Sequence, residues 1–367
     1  MTTMRHSAGN RYPEKLKSLL LGGALAMLPG LAFAAGPEPK GFRDWMAGCS
    51  NTWSCTALSI PSDTAETTAY LRLERPAGRD GAVSLVLRLR GEWRKPPATV
   101  ALKLDGAAFP ASGKAMPVTA DNDVDSVIFQ PAETAALIEA ARKATKLSIS
   151  APGLSAEVSL SGAVAALLWI DEQQGRLGTT SALIRKGSGT NIPPAPAAPV
   201  IMAKPASGTL SEKDGKALAA ALRNHLKQRD PDRCEGGEMT TQHDEAWPLD
   251  GKRNLVSLTC SLGAYNASNA FWIVENGAVA NARPVDFPQN DNEEAKNVLT
   301  NGAFEPKTGR IDYFAKGRGI GDCGAAGNYA WTGTGFALTG LSMMGECRGI
   351  GSDDWITLFQ GEVKVMK

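Results

Sequence analysis

Chemistry in this chain would have to come from six cysteines, three histidines, a group of acids near two of the cysteines, and one glycine-rich string. The string Gly319-Ile-Gly321-Asp-Cys-Gly324 satisfies G-x-G-x-x-G, a pattern whose glycines let a helix N-terminus approach a pyrophosphate. That use needs a βαβ unit. Here a cysteine sits inside the motif and Gly327-Asn-Tyr-Ala-Trp331 follows, which reads as turn then strand, so the glycines are expected to serve a tight, cysteine-pinned loop. His225, Cys234, His243 and Cys260 match no structural zinc spacing, and neither histidine has a second ligand nearby of the H-x-x-x-H kind. The chain has no G-x-S-x-G, no serine with lysine three residues on and no H-E-x-x-H, the patterns that would mark a nucleophile or a metallopeptidase. The sequence therefore predicts no catalytic residue, no cofactor and no metal.

Two constellations remain. Asp322, Glu346, Asp353 and Asp354 cluster in the last 46 residues around Cys323 and Cys347, and two carboxylates facing each other across a cleft are the apparatus of glycan hydrolysis. The second is a mixed patch. Arg318, Asp322, Tyr329 and Trp331 lie near the first of these cysteines, and Arg348, Asp353, Asp354 and Trp355 near the second. If Cys323 bonds Cys347, the two loops meet and these eight residues form a candidate binding surface of arginine, acid and aromatic side chains. The competing reading makes Trp331 and Trp355 strand core residues and leaves the charges solvated.

What the cysteines do depends on the compartment. Arg5, Arg11, Lys15 and Lys17 precede an apolar run from Leu19 to Phe33, about fifteen residues and too short to span a membrane. Ala32-Phe33-Ala34 then offers the small residues that signal peptidase reads. Residues 1–34 are expected to be a cleavable signal peptide, and the mature chain to be soluble in the periplasm. Beyond the cleavage point the longest uninterrupted apolar stretch is Ala163 to Ile170, eight residues, so no transmembrane anchor is expected. Cleavage would take four basic groups and one acid from a chain of formal charge +1, leaving −2 over 333 residues. No basic stripe of the kind a nucleic-acid partner demands is present.

In an oxidising compartment, Cys49, Cys55, Cys234, Cys260, Cys323 and Cys347 read as three disulfides. If pairing stays within domains, Cys49 must meet Cys55, and three arrangements of the other four survive. Sequential pairing is our choice. It closes two loops of roughly 25 residues, each closure stabilising by roughly 3 kcal/mol on a loop-entropy model.

The elements that must position these residues follow from local patterning. The proline-rich stretch 188–208 reads as a linker, separating an N-terminal β-rich, sandwich-like domain, 38–187, from a disulfide-stabilised α+β domain, 209–367. In the first, period-two runs predict strands at 70–74, 83–90, 99–104, 126–129, 146–150 and 156–160. Helices are predicted over 131–144 and 161–175, the second with Ser161 as N-cap. The C-terminal domain opens with a capping box, Ser211 to Asp214, and a helix to about Arg229. Strands are predicted at 254–262, 270–275, 310–314, 329–332, 335–339 and 355–359. The fold class is α+β, mostly β: two domains of antiparallel sheet with one or two packed helices each, stapled by disulfides.

Five strings carry a family resemblance: Asp44-Trp45 with Gly48-Cys49-Ser-Asn51-Thr-Trp-Ser-Cys55; Ser161-Gly162 with Leu167 to Glu172; Gly178 to Leu183; Ala315-Lys-Gly-Arg-Gly-Ile-Gly-Asp-Cys-Gly324; and Glu346-Cys-Arg348 with Asp354-Trp-Ile-Thr357. Together they resemble the bacterial domain-of-unknown-function family 1176, over nearly the whole mature chain. The N-terminal part also resembles, over a shorter stretch, the invasion-associated locus B family of exported proteins. The resemblance implies a bacterial envelope protein and brings no catalytic residues with it. The functional expectation is a non-enzymatic binding or interaction protein, an inhibitor or envelope-stress factor for instance, whose partner is an envelope protein or cell-wall glycan. The alternative is an envelope hydrolase working through the paired carboxylates.

Overall fold

Side-chain alternation builds the N-terminal half one sheet face at a time. In the strand Ser84–Arg90, Leu85, Leu87 and Leu89 are buried while Val86, Arg88 and Arg90 are half-buried, because successive side chains leave opposite faces of a strand. This strand belongs to a six-stranded antiparallel sheet, in the order Lys40–Phe42, Trp45–Cys49, Cys55–Ser59, Thr68–Arg75, Ser84–Arg90, Asp125–Ile128. The computed structural model describes residues 38–62, 67–91, 96–120, 124–229, 234, 236–289 and 295–366; the expected signal peptide lies outside them.

A second antiparallel sheet joins Leu154–Ser159, Lys146–Ala151, Thr99–Leu104, Ala107–Phe109 and Met116–Pro117. Leu71, Leu73, Leu87 and Leu89 of the first sheet share one core with Leu102, Leu147, Ile149 and Val158 of the second. Helix Ala163–Gln173 packs into it through Ala166, Leu167 and Ile170. Its N-cap is Gly162 rather than Ser161, at φ 101°. A Cβ there would lie 1.7 Å from the Phe42 carbonyl oxygen, so the close backbone approach of the first hairpin selects glycine. The helix predicted over 131–144 ends at Ala140.

In the C-terminal half, helix Glu212–Arg229 starts as its capping box predicts, with the Asp214 N–H donating to Ser211 Oγ at 3.1 Å. Ala219 and Leu222 pack on Val256, Leu258, Trp272 and Val274. These residues come from a sheet whose long strands are Arg253–Leu262 and Ala267–Glu275. Its other face, with Leu255, Phe271 and Ile273, shares a cluster with a five-stranded antiparallel sheet. The order there is Ala303–Glu305, Arg310–Lys316, Gly324–Trp331, Phe336–Met344, Ile356–Gln360.

Two findings bear on the site. Part of the stretch expected as linker is strand: Val200–Ala203 pairs in parallel with Glu362–Val365. Its alternation buries Ile201 and Ala203, which proline-rich neighbours had masked in the sequence. Secondly, the apolar cluster of the C-terminal half takes in Met46, Leu58 and Tyr70 from the N-terminal half. At this seam Gly48 lies so close to Ile356 that a Cβ would stand 2.6 Å from its Cγ2. Asn51 holds the turn in place, donating its N–H to the Leu358 carbonyl at 3.1 Å and accepting the Gln360 N–H at 2.9 Å. The fold is thus mostly β and antiparallel, with helices packed on its sheets. Among the described residues, no helix is long and apolar enough to cross a membrane.

Candidate functional site

The disulfides are sequential: Cys49–Cys55, Cys234–Cys260 and Cys323–Cys347. The third brings the loop before Cys323 against the loop after Cys347, as required for the expected surface. Asp322 then bonds to both. Its carboxylate accepts Arg318 Nε–H at 2.7 Å from its own loop and the Gly349 N–H at 2.6 Å from the other. The Arg318 hydrogen bonds hold its carboxyl below the ordinary carboxylate range against the opposing effect of burial. Asp322, Cys323 and Cys347 place potential ligand atoms within 4.8 Å of one another. Both sulfurs are spent in the disulfide, so no thiolate is available to bind a metal.

Most of the expected surface is interior. Tyr329, Trp331 and Trp355 are buried in one apolar cluster: Tyr329 and Trp331, two residues apart, leave the same face of strand Gly324–Trp331, and Trp355 sits in the turn just before strand Ile356–Gln360. The Tyr329 hydroxyl donates to the Pro288 carbonyl at 3.0 Å, Trp331 lies under the Arg253 guanidinium at 5.0 Å, and Trp355 Nε1–H donates to the Ile350 carbonyl at 3.1 Å. Asp354 is buried as well. It accepts the Tyr70 hydroxyl at 2.6 Å and Arg88 Nη2 at 3.0 Å, with Arg72 Nε at 3.3 Å. Burial, then the neighbouring Asp354 charge, pushes the Tyr70 hydroxyl above its ordinary pKa. Asp322 and Asp354 therefore work as ion-pair partners inside the fold. Of the eight expected residues, Arg318 and Asp353 are exposed and Arg348 is half-buried.

Arg348 leads to a different site. With Glu346 it forms one wall of a cleft of about 720 Å³ at the seam, whose other walls include Arg43, Asp44, Lys146 and Glu157. The first hairpin positions Arg43 and Asp44, since Phe42 pairs with Trp45 and leaves these two residues as its turn. Arg43 sits at φ 57°. That left-handed conformation is one a two-residue hairpin usually gives to glycine, asparagine or aspartate. Asp44 is fixed by accepting the Ser159 hydroxyl at 2.6 Å, while Trp45 Nε1–H donates to the Ser159 carbonyl at 2.9 Å. Across the neighbouring strands Lys146 and Glu157 pair at 2.7 Å. Each holds the other's charged form, raising the lysine pKa and lowering that of the glutamate. Glu346 and Arg348 approach at 3.8 Å.

The cleft thus presents three cations and three carboxylates around a space of small-molecule size. Such a lining can take up a ligand bearing both signs of charge by exchanging internal pairs for ligand pairs. Sequence reasoning had singled out Asp44, Glu346 and Arg348 within conspicuous strings but missed Arg43, Lys146 and Glu157. The one local signal was an Arg-Asp pair at a hairpin turn; the rest depends on residues about 100 to 300 positions apart meeting at the seam.

Comparison with known proteins agrees with a whole-chain relationship. The chain is 30% identical over 360 residues, 91% of its own length and 96% of the other's, to an uncharacterized protein, YpfG, of Escherichia coli strain K12. No solved structure matches. A family model described as protein of unknown function, DUF1176, matches residues 39–361, spanning both halves and the seam, and the chain belongs to that family.

Proposed function

We propose that this protein is an exported, non-catalytic binding protein of the bacterial envelope, and that the seam cleft holds a small zwitterionic ligand such as an amino acid or short peptide. The observation that carries this reading is Arg43. A cationic side chain kept in a left-handed turn at the mouth of a charged cleft is backbone strain at a site where strain commonly serves binding. Both halves contribute walls, so ligand would couple to the seam. The disulfides and the N-terminal apolar run with its A-x-A exit support export.

Thermal unfolding of the mature chain in the presence of amino acids, dipeptides and cell-wall stem peptides tests the proposal. A ligand at about 100 times its Kd stabilises by about 2.7 kcal/mol, which raises Tm by roughly 5 °C for a chain of this size. The shift should vanish in Arg43→Ala and in Arg348→Ala. If no zwitterion raises Tm, or if both variants respond as the parent does, the cleft is not the binding site.

A further inference from the structure

The charges that wall the cleft are unequally committed. Lys146 and Glu157 answer each other at 2.7 Å, and Glu346 approaches Arg348 at 3.8 Å. Arg43 and Asp44, side by side on the first hairpin turn, differ from these. Among the described residues the Arg43 guanidinium has neither a hydrogen bond nor an ion pair, and the Asp44 carboxylate meets the Ser159 hydroxyl at 2.6 Å and no cation. One cation and one anion on neighbouring residues are thus left for a ligand.

Arg43 also borders a second space. A groove of about 520 Å³ shares Arg43 and Thr145 with the cleft, and among the described residues that line it Arg43 alone is charged. Helix Ala163–Gln173 contributes Val164, Ala165 and Leu168, and Phe42 and Leu160 add further apolar surface. Phe42, Val164 and Leu168 are half-buried, so the groove holds apolar surface that the fold does not cover. A Cβ on Gly162 would lie 3.4 Å from the Arg43 Cβ, which places the arginine stem against the groove wall.

We propose that the ligand is a dipeptide with a large apolar carboxyl-terminal residue: its carboxylate pairs with Arg43, the side chain of that same residue fills the groove, and its ammonium lies in the cleft toward Asp44. This rests on the reading of the cleft as a zwitterion site and adds which zwitterion it takes. Carboxylate and side chain leave one carbon, so pairing at Arg43 brings the side chain to the boundary of the two spaces. A polar side chain would give up water against Val164 and Leu168 without a partner, whereas an apolar one gains by burial. The amino end turns to the cleft because the groove lining offers no carboxylate. A free amino acid would leave most of the 720 Å³ cleft unfilled.

Calorimetric titration with Gly-Phe, its reverse Phe-Gly, and Gly-Gly is the test, since the first two share composition and charge. The parent should bind Gly-Phe about tenfold or more tighter than either of the others. Ala165 is exposed at the groove, so Ala165→Trp should fill it, and Ala165→Asp should set a charge in it, without lowering Tm. Each should bring Gly-Phe to the affinity which that variant shows for Gly-Gly. Equal binding of the three dipeptides by the parent, tighter binding of Phe-Gly, or a preference kept in both Ala165 variants overturns the proposal and leaves the zwitterion reading standing. If free phenylalanine raises Tm while no dipeptide binds, the proposal again fails alone; if neither binds, both fall.

Discussion

Asp354→Ala should destabilise the protein by about 3 kcal/mol, the low end of the range for removing one member of a buried ion pair. The carboxylate is 6% exposed and faces Arg72 and Arg88, whose side chains are 14% and 25% exposed. Its removal strands the Tyr70 hydroxyl, which donates to it at 2.6 Å, and an unsatisfied buried donor alone costs about 1–3 kcal/mol. The arginines are not left destitute, since Arg72 keeps Glu74 at 2.6 Å and Arg88 keeps the Ser126 hydroxyl at 2.7 Å. That is why the low end applies. Asp354→Asn, which keeps an acceptor but gives up the charge, should cost about half as much. At roughly 2–4 °C per kcal/mol for a large chain, alanine should lower Tm by about 6–12 °C, measured by circular dichroism near neutral pH. A double-mutant cycle with Arg88→Met should return a coupling of at least about 1 kcal/mol. If Asp354→Ala unfolds within about 2 °C of the parent, or the coupling is nil, Asp354 is not a seam residue and the case for burying the expected surface collapses.

Two further outcomes follow from the seam and from the turn beneath the C-terminal sheets. Gly48→Ala would place a methyl 2.6 Å from Ile356 Cγ2 and 3.2 Å from Leu358 Cδ2, an overpacking that should cost about 1–3 kcal/mol and lower the urea midpoint without changing the slope. Asp250 accepts Arg253 Nε–H at 2.8 Å. That pairing, with the backbone N–H groups of Lys252 and Arg253, holds its pKa at about 2 against 3.8 ordinarily. A carboxyl whose folded pKa is depressed stabilises above its unfolded value and loses that contribution as pH falls through the folded one. Its share should therefore disappear between about pH 4 and pH 2, and Asp250→Asn should flatten the acid limb of the stability profile over that window. An unaltered limb would refute the assignment.

Where alternation was local, the sequence read correctly. Ser84–Arg90, Thr99–Leu104 and Lys146–Ala151 lie within a residue of their predicted bounds, because a half-buried strand writes its two faces into successive residues. Trp45–Cys49 and Cys55–Ser59 were missed as strands. They are buried almost throughout, with helix Ala163–Gln173 and strand Ile356–Gln360 packed on them, and a strand covered on both faces loses the period-two signal. The loop meeting at Cys323 and Cys347 was legible; the cleft was not, since Arg43, Lys146 and Arg348 share no local pattern.

The sequence by itself determined the class of the fold, the start of helix Glu212–Arg229, the order of the cysteines and the pairing they favoured. Each rests on interactions within a few residues or on the chemistry of one residue type. Only the tertiary structure decided which sheet faces meet water. Tyr70, Arg72 and Arg88 alternate with leucines as a solvent face would, yet Asp354 covers them. The alternation is the same whether a polar face is met by water or by a buried carboxylate. The disulfide between Cys323 and Cys347 thus joins the expected loops, but the aromatic residues beside it turn inward and the charged cleft opens at the seam instead.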